Sequence, residues 1–262
     1  MEHMNSLRTS ALIPLCASSA IDKAALTRLL DIDLPVHPDE ALFATQTIPG
    51  RPALPELVPF IKLKKKPLTT LEGRAMMIHS IAHIELNAID LALDIVWRFP
   101  GMPEQFYRDW IAIAQEEALH FTLLRDHLVG MGFDYGAFPA HDALWQMAER
   151  TKGDILARIA LVPRTLEARG LDASPAVKRR LVDAGDHAVG KILDIILRDE
   201  IGHVAAGNRW YRWVCEQRGL DPLTTYPELV AKYDAPKLRA PFNLEARRLA
   251  GFDEAELARL GG

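Results

Sequence analysis

Leu193-Asp194-Ile195-Ile196-Leu197-Arg198-Asp199-Glu200-Ile201-Gly202-His203-Val204 carries its apolar residues at the three- and four-residue spacing of a helix with one buried face. The same stripe continues through Gly207, Tyr211 and Val214. Glu200 and His203 fall on it, one turn apart, where an apolar residue belongs. Two further segments repeat the anomaly. Phe106, Trp110, Ile113, Phe121, Leu124 and Leu128 form a stripe interrupted by Glu117 and His120, and Ile78, Ile81, Ala88, Ile89, Ala92 and Val96 form one interrupted by Glu85. A fourth, less regular run through Leu156, Ile159 and Pro163 leads to Glu167.

Burying an ionised carboxylate costs several kcal/mol unless it is paired or binds a metal. Four glutamates and two histidines on buried stripes need a shared counter-charge, and two metal ions supply it. A single Glu-x-x-His match is a weak motif. The order is more telling: Glu85 stands 32 residues before Glu117 and Glu167 stands 33 before Glu200, so two helix pairs each contribute Glu followed by Glu-x-x-His. Carboxylate and imidazole ligands with an open position suit iron, with manganese or a mixed iron/manganese pair as the other fitting choices.

Proline placement sets the expected architecture. Eight of the 17 prolines precede residue 70 and four follow residue 220, so the long helices are expected between about 70 and 218. The spacing predicts helices over 70–99, from Pro103 to about 130, from a cap at Asp142 to Gly170, and from a Ser174-Pro175 start to about Gln217. The expected fold is all-α, a four-helix bundle at 70–218 with an N-terminal extension at 1–69 and a C-terminal wrap at 219–262, both irregular and partly helical.

Composition excludes other classes. The 262 residues include 49% hydrophobic and 25% charged residues, which a globular core accommodates. A net charge of −4 supplies no general field for nucleic acid or anionic lipid, so neither is an expected partner. Two cysteines, Cys16 and Cys215, are too few for a disulfide framework and fit a cytoplasmic location. The apolar run Ala11–Ala17 is short for an export signal and is broken by Pro14. Neither Glu-x-x-His has the leading histidine of a zincin, and no glycine-rich phosphate loop occurs.

Other candidates have blander readings. His79 and His83 lie at i and i+4 but lack a third ligand at suitable spacing, and Tyr107, Trp110 and Tyr211 are read as core aromatics before redox-active ones. Lys62-Leu63-Lys64-Lys65-Lys66 reads as a solvated loop. Glu116 and Glu149 are the substitutes if Pro163 kinks Glu167 out of place, although Glu116 lies about 100° off its stripe.

The run Asp199-Glu200-Ile201-Gly202-His203 resembles the Asp-Glu-x-x-His signature of the ferritin-like di-iron carboxylate proteins, over about residues 70–218. That resemblance implies metal ligation by Glu85, Glu117, His120, Glu167, Glu200 and His203, with Asp199 as acceptor for a ligand imidazole. Over nearly its whole length, including Glu167-Ala168-Arg169-Gly170-Leu171-Asp172 and Ala240-Pro241-Phe242-Asn243, the chain also resembles the bacterial family named domain of unknown function 455. The implied activity is an O2- or peroxide-dependent oxidoreductase of monooxygenase type, served by an external electron donor and acting on an unidentified substrate. A tRNA-hydroxylating relative in the same superfamily implies that the substrate could be bulky. Iron oxidation, storage or detoxification is the alternative, and a metal-stabilised scaffold without turnover is a third. The long flanks obstruct shell packing and suit a covered pocket or a homodimer seam.

Overall fold

A computed structural model describes residues 6–260; residues 1–5 and 261–262, the ends of the two expected extensions, lie outside the described residues. The chain is all-helical, with no strand among the described residues and an isolated parallel bridge between Leu57 and Ala140. It divides into two compact units, one ending at Ala143 and one beginning at Leu144.

In the first unit α1 (Leu7–Ser10), α2 (Leu12–Cys16) and α3 (Ala20–Arg28) precede a long irregular stretch that contains a 3-10 turn at Phe60–Lys62. Then come α4 (Leu71–Arg98) and α5 (Glu104–Gly130), both close to their expected limits. Thr70 caps α4 by accepting from the Gly73 amide at 3.0 Å, and Pro103 precedes α5, where its missing N–H costs nothing. The short Phe99–Pro103 link folds α5 back along α4, and α1, α2 and α3 pack against that pair.

Helix α4 is buried on more than its expected stripe. His79, His83, Asn87, Asp90 and Asp94 form a second buried row, all of them polar. Each has a polar neighbour, as burial requires. The Gly136 amide donates to His79 Nε2 at 2.9 Å, Tyr135 Oη and the His141 carbonyl hold the two ring nitrogens of His83 at 2.7 and 3.0 Å, and Asn87 Nδ2 donates to the His83 carbonyl at 2.7 Å. Lys23 pairs with Asp90, and Arg98 holds Asp94. Buried Arg8 donates to the Val96 and Trp97 carbonyls at the end of α4, where a cation also meets the negative end of the helix dipole. Its remaining bonds go to the carbonyls of His37, Pro38 and Glu40, so one guanidinium ties the N-terminal stretch to the helix end.

Burial lowers the pKa of both His79 and His83 from 6.5 to about 4. In the unfolded chain each takes a proton near pH 6.5, and the folded chain refuses it until about pH 4. Their contribution to stability is therefore complete above pH 6.5 and is lost as the pH falls towards 4, on the order of 3 kcal/mol per group. Asp90, raised by burial from 3.8 to about 6, works in the opposite direction over part of that window. We expect His83→Gln to flatten the acid limb of stability by about one proton, read from urea midpoints between roughly pH 7 and 4.5. An unchanged slope would show that His83 is protonated without cost.

The second unit departs from the expected helix pattern. The anticipated helix from Asp142 to Gly170 is instead α6 (Ala143–Arg150), a turn, α7 (Ile155–Leu161) capped by Asp154, and a π-helical segment at Val162–Glu167. Pro163 cannot donate to an ordinary i−4 carbonyl, and the wider π turn absorbs it. Helix α8 (Ala168–Asp183) then runs straight through Ser174-Pro175, which was expected to start the next helix. The Leu171 carbonyl, four residues before Pro175, accepts instead from Asn243 Nδ2 at 3.2 Å. A residue from the C-terminal segment thus supplies the bond that the proline removes. The turn comes at Gly185, whose φ of 93° favours glycine, and α9 (His187–Gln217) follows a cap at Asp186.

Helices α10 (Pro222–Lys232), α11 (Leu244–Leu249) and α12 (Glu254–Leu257) complete this unit. Ala246, Ala250, Phe252 and Leu257 close a core with Ala168 and Leu171 of α8 and Val204 of α9. Arg164 of the π segment pairs with Glu256 and lies over the rings of Tyr211, Tyr226 and Phe252 at 4.6 to 5.0 Å.

Candidate metal centre

Glu85 sits at mid-length on α4, and Glu117 and His120 sit at mid-length on α5. Their exposures are 4%, 1% and 0%. One ligand-capable atom of each lies within 4.8 Å of the others. His120 aims Nδ1 at both carboxylates, 3.3 Å from Glu117 Oε2 and 3.4 Å from Glu85 Oε2. The helical spacing accounts for this aim, because residues three apart share a face and Glu85 approaches from the neighbouring helix.

Burial disfavours a charged imidazole at His120. Hydrogen bonds to Glu117 and Glu85, with their negative charge, outweigh it and raise the pKa from 6.5 to about 11. The two carboxylates thus favour a cation at this position. A metal ion bound at Nδ1 would take the place of a proton there, so the donor set fits one chemically.

In the second unit Glu200 and His203 are buried on one face of α9, with Glu200 Oε1 3.7 Å from His203 Nδ1. Both Glu-x-x-His pairs thus present Nδ1 on the side of their own glutamate. Glu167 ends the π segment and is half-buried. Of the two substitutes for it, Glu116 is exposed and Glu149 is half-buried and forms an ion pair with Lys152. Asp199 is mostly buried and accepts two bonds from the neighbouring Arg198 at 2.8 and 3.1 Å.

A close approach supports the π segment. A Cβ added at Gly207 of α9 would come within 3.1 Å of the Pro163 ring, so the glycine lets this turn seat against α9. The sequence stripe registered Gly207 only as a small apolar residue. Its pairing with a proline 44 positions earlier carried no local signal.

The remaining candidates have structural roles. Tyr107 donates to the Phe99 carbonyl at 2.8 Å and accepts from the Met102 amide at 3.1 Å, locking the α4–α5 link. Trp110 is a buried core ring packed edge-on to Phe106. Tyr211 donates to the Pro222 carbonyl at 2.8 Å. His79 and His83 are held by Gly136, Tyr135 and His141 of the segment that follows α5, and no metal-holding group containing them occurs among the described residues.

The chain is similar to a family and to a relative whose printed names state no chemistry. A family model described as "Protein of unknown function (DUF455)" matches residues 16–258. A protein of Haemophilus influenzae printed as "Uncharacterized protein" is 46% identical over 213 residues, covering 79% of this chain and 74% of the relative. No solved structure matches.

Proposed function

Starting from the chain's membership of the family of unknown function DUF455, whose name leaves the chemistry open, we propose a dinuclear iron or iron/manganese carboxylate oxidoreductase that uses O2 or peroxide. In this reading α4, α5, the α7 to α8 run and α9 are the four helices of a ferritin-like bundle. Glu85, Glu117, His120, Glu167, Glu200 and His203 hold the metals. The observation that carries the reading is the buried Glu85, Glu117 and His120 constellation, together with its sequence counterpart on α9.

The bound metals would supply redox equivalents and an open coordination position for dioxygen chemistry. The chain's own residues do the rest. Each histidine would offer Nδ1, the nitrogen nearest its own glutamate, and would leave Nε2 to donate to an acceptor, a role for which Asp199 is proposed. The glutamates would supply the negative charge that holds the metals. Burial of the constellation keeps bulk water away, which strengthens every charge interaction within it. Glu167 ends the π turn Val162–Glu167, whose wider winding departs from ordinary α-helical register.

The test loads the protein anaerobically with ferrous iron and follows O2 uptake and the optical spectrum on exposure to air. About one O2 consumed per two irons, with a new absorption in the near ultraviolet, is the expected result. A protein that binds the metal but remains indifferent to O2 would defeat the oxidoreductase reading and leave the scaffold one. Factors that increase the O2 uptake then identify the external electron donor and the substrate.

A further inference from the structure

The first unit displays an amphipathic projection that the metal chemistry does not use. Ile61 is 91% exposed and Phe60 is 67% exposed, side by side on the 3-10 turn Phe60–Lys62, with Leu54 60% and Leu57 39% exposed just before them. Lys62, Lys64, Lys65 and Lys66 follow immediately, all exposed. Lys66 is engaged by Glu72, and Glu56 is the other carboxylate of the stretch, so cations remain in excess.

This projection is held in place at its base. The Val58 amide donates to the Ala140 carbonyl at 2.8 Å, and the Ala140 amide donates to the Glu56 carbonyl at 3.0 Å. The turn closes on itself through Lys62 N to Pro59 O at 2.8 Å and Leu63 N to Phe60 O at 3.1 Å, and the Phe60 ring meets His141 edge-on at 5.4 Å. A solvated loop gains nothing from fixing its two largest apolar side chains outward. Clustered exposed apolar residues mark a contact surface.

We propose that Phe60 and Ile61, with Lys62, Lys64 and Lys65, dock the protein reversibly on an anionic lipid surface. The apolar pair enters the boundary between headgroups and acyl chains while the lysines meet the lipid charge; lasting surface attachment takes two such signals together. Ile61, the most exposed apolar residue, offers no stacking face, and the Phe60 ring is already engaged edge-on by His141, which together disfavour a nucleic acid. Like-charged lysines around the tip disfavour a second copy of the chain meeting it there. No helix among the described residues is long and apolar enough to cross a membrane, so attachment would be peripheral. The expectation of no lipid partner rested on net charge, which averages away a local excess of this kind.

The test is co-sedimentation of the full-length protein with phosphatidylcholine vesicles, with and without roughly a third of phosphatidylglycerol, at low and high salt. Wild-type protein should partition onto the anionic vesicles at least about tenfold more strongly than onto neutral ones, and salt should weaken it. The double variant Phe60→Ser/Ile61→Ser and the triple variant Lys62→Gln/Lys64→Gln/Lys65→Gln should each lose that binding while keeping wild-type melting behaviour. Failure to bind anionic vesicles would overturn the proposal, as would binding that survives the Phe60/Ile61 change. A single-stranded RNA complex lost on lysine replacement in a protein that ignores vesicles would assign the patch to nucleic acid instead. A wild-type dimer dispersed by Phe60→Ser/Ile61→Ser would assign it to self-association.

Discussion

Protein purified from iron- and manganese-supplemented cells should carry about two metal ions per chain, and Glu117→Ala and Glu200→Ala should each reduce that content severely, with the double variant near zero. The two single variants ask different questions. Glu117 stands in a constellation seen within the first unit, beside Glu85 and His120. Glu200 is joined to the centre by the proposal that both units furnish ligands. Loss of metal in Glu117→Ala but not in Glu200→Ala would confine the site to the first unit and end the dinuclear reading. Full metal in both would end the ligand assignment. Glu117→Gln is the control for fold, since it keeps the side-chain volume and removes a buried charge. It should retain cooperative unfolding and helical circular dichroism while binding little metal. Plasma mass spectrometry and thermal melts on the same samples separate a ligand effect from a folding failure.

The largest expected effect on stability lies at Lys23 and Asp90. Lys23 is fully buried, the Asp90 side chain is 6% exposed, and the lysine also donates to the Leu15 carbonyl at 3.1 Å. Lys23→Met leaves a carboxylate buried without its cation and should cost about 3–5 kcal/mol; Asp90→Leu strands the ammonium at similar cost. The double variant Lys23→Met/Asp90→Leu should recover most of that loss, because a well-packed apolar pair avoids both desolvation penalties. Even beside Lys23, burial holds the Asp90 pKa at about 6. Lys23 is what lowers that pKa, so in the folded Lys23→Met protein Asp90 takes up its proton at a higher pH, and the deficit against wild type should shrink as the pH falls towards about 6 and level off below it. Urea unfolding of the four proteins at pH 7.5 and 5 measures both effects. Additive losses in the double variant would show that the pair does not act as a unit.

Helices α4, α5 and the greater part of α9 were legible because their signals are local. Apolar spacing, the Thr70 cap, Pro103 and the Pro100-Gly101 break all lie within a few residues of the boundaries they mark. The burial of Glu85, Glu117, Glu200 and His203 was legible for the same reason, since a stripe predicts burial whatever residue occupies it. The second polar row of α4 was not. The helical spacing of His83, Asn87, Asp90 and Asp94 marks a polar row without fixing whether it is wet or buried; Tyr135 and His141 cover His83, and Lys23 covers Asp90, from distant parts of the chain. Polarity alone cannot distinguish a wet face from a buried one whose partners lie tens of residues away.

The third helical run shows the same limit at the backbone. Pro163 and Pro175 are both helix breakers by local rules, yet one is absorbed by a π turn and the other is crossed by an unbroken α8. The difference lies in contacts that no window of sequence contains: Gly207 gives the first room against α9, and Asn243 supplies the Leu171 carbonyl with the bond that the second removes. Periodicity and capping thus sufficed to establish an all-helical chain and the helix faces on which its acidic and histidine residues lie. The course of the backbone through its prolines and the satisfaction of the buried charges on α4 were settled by long-range packing, because burial penalises each unmet polar group and the groups that meet them come from elsewhere in the chain.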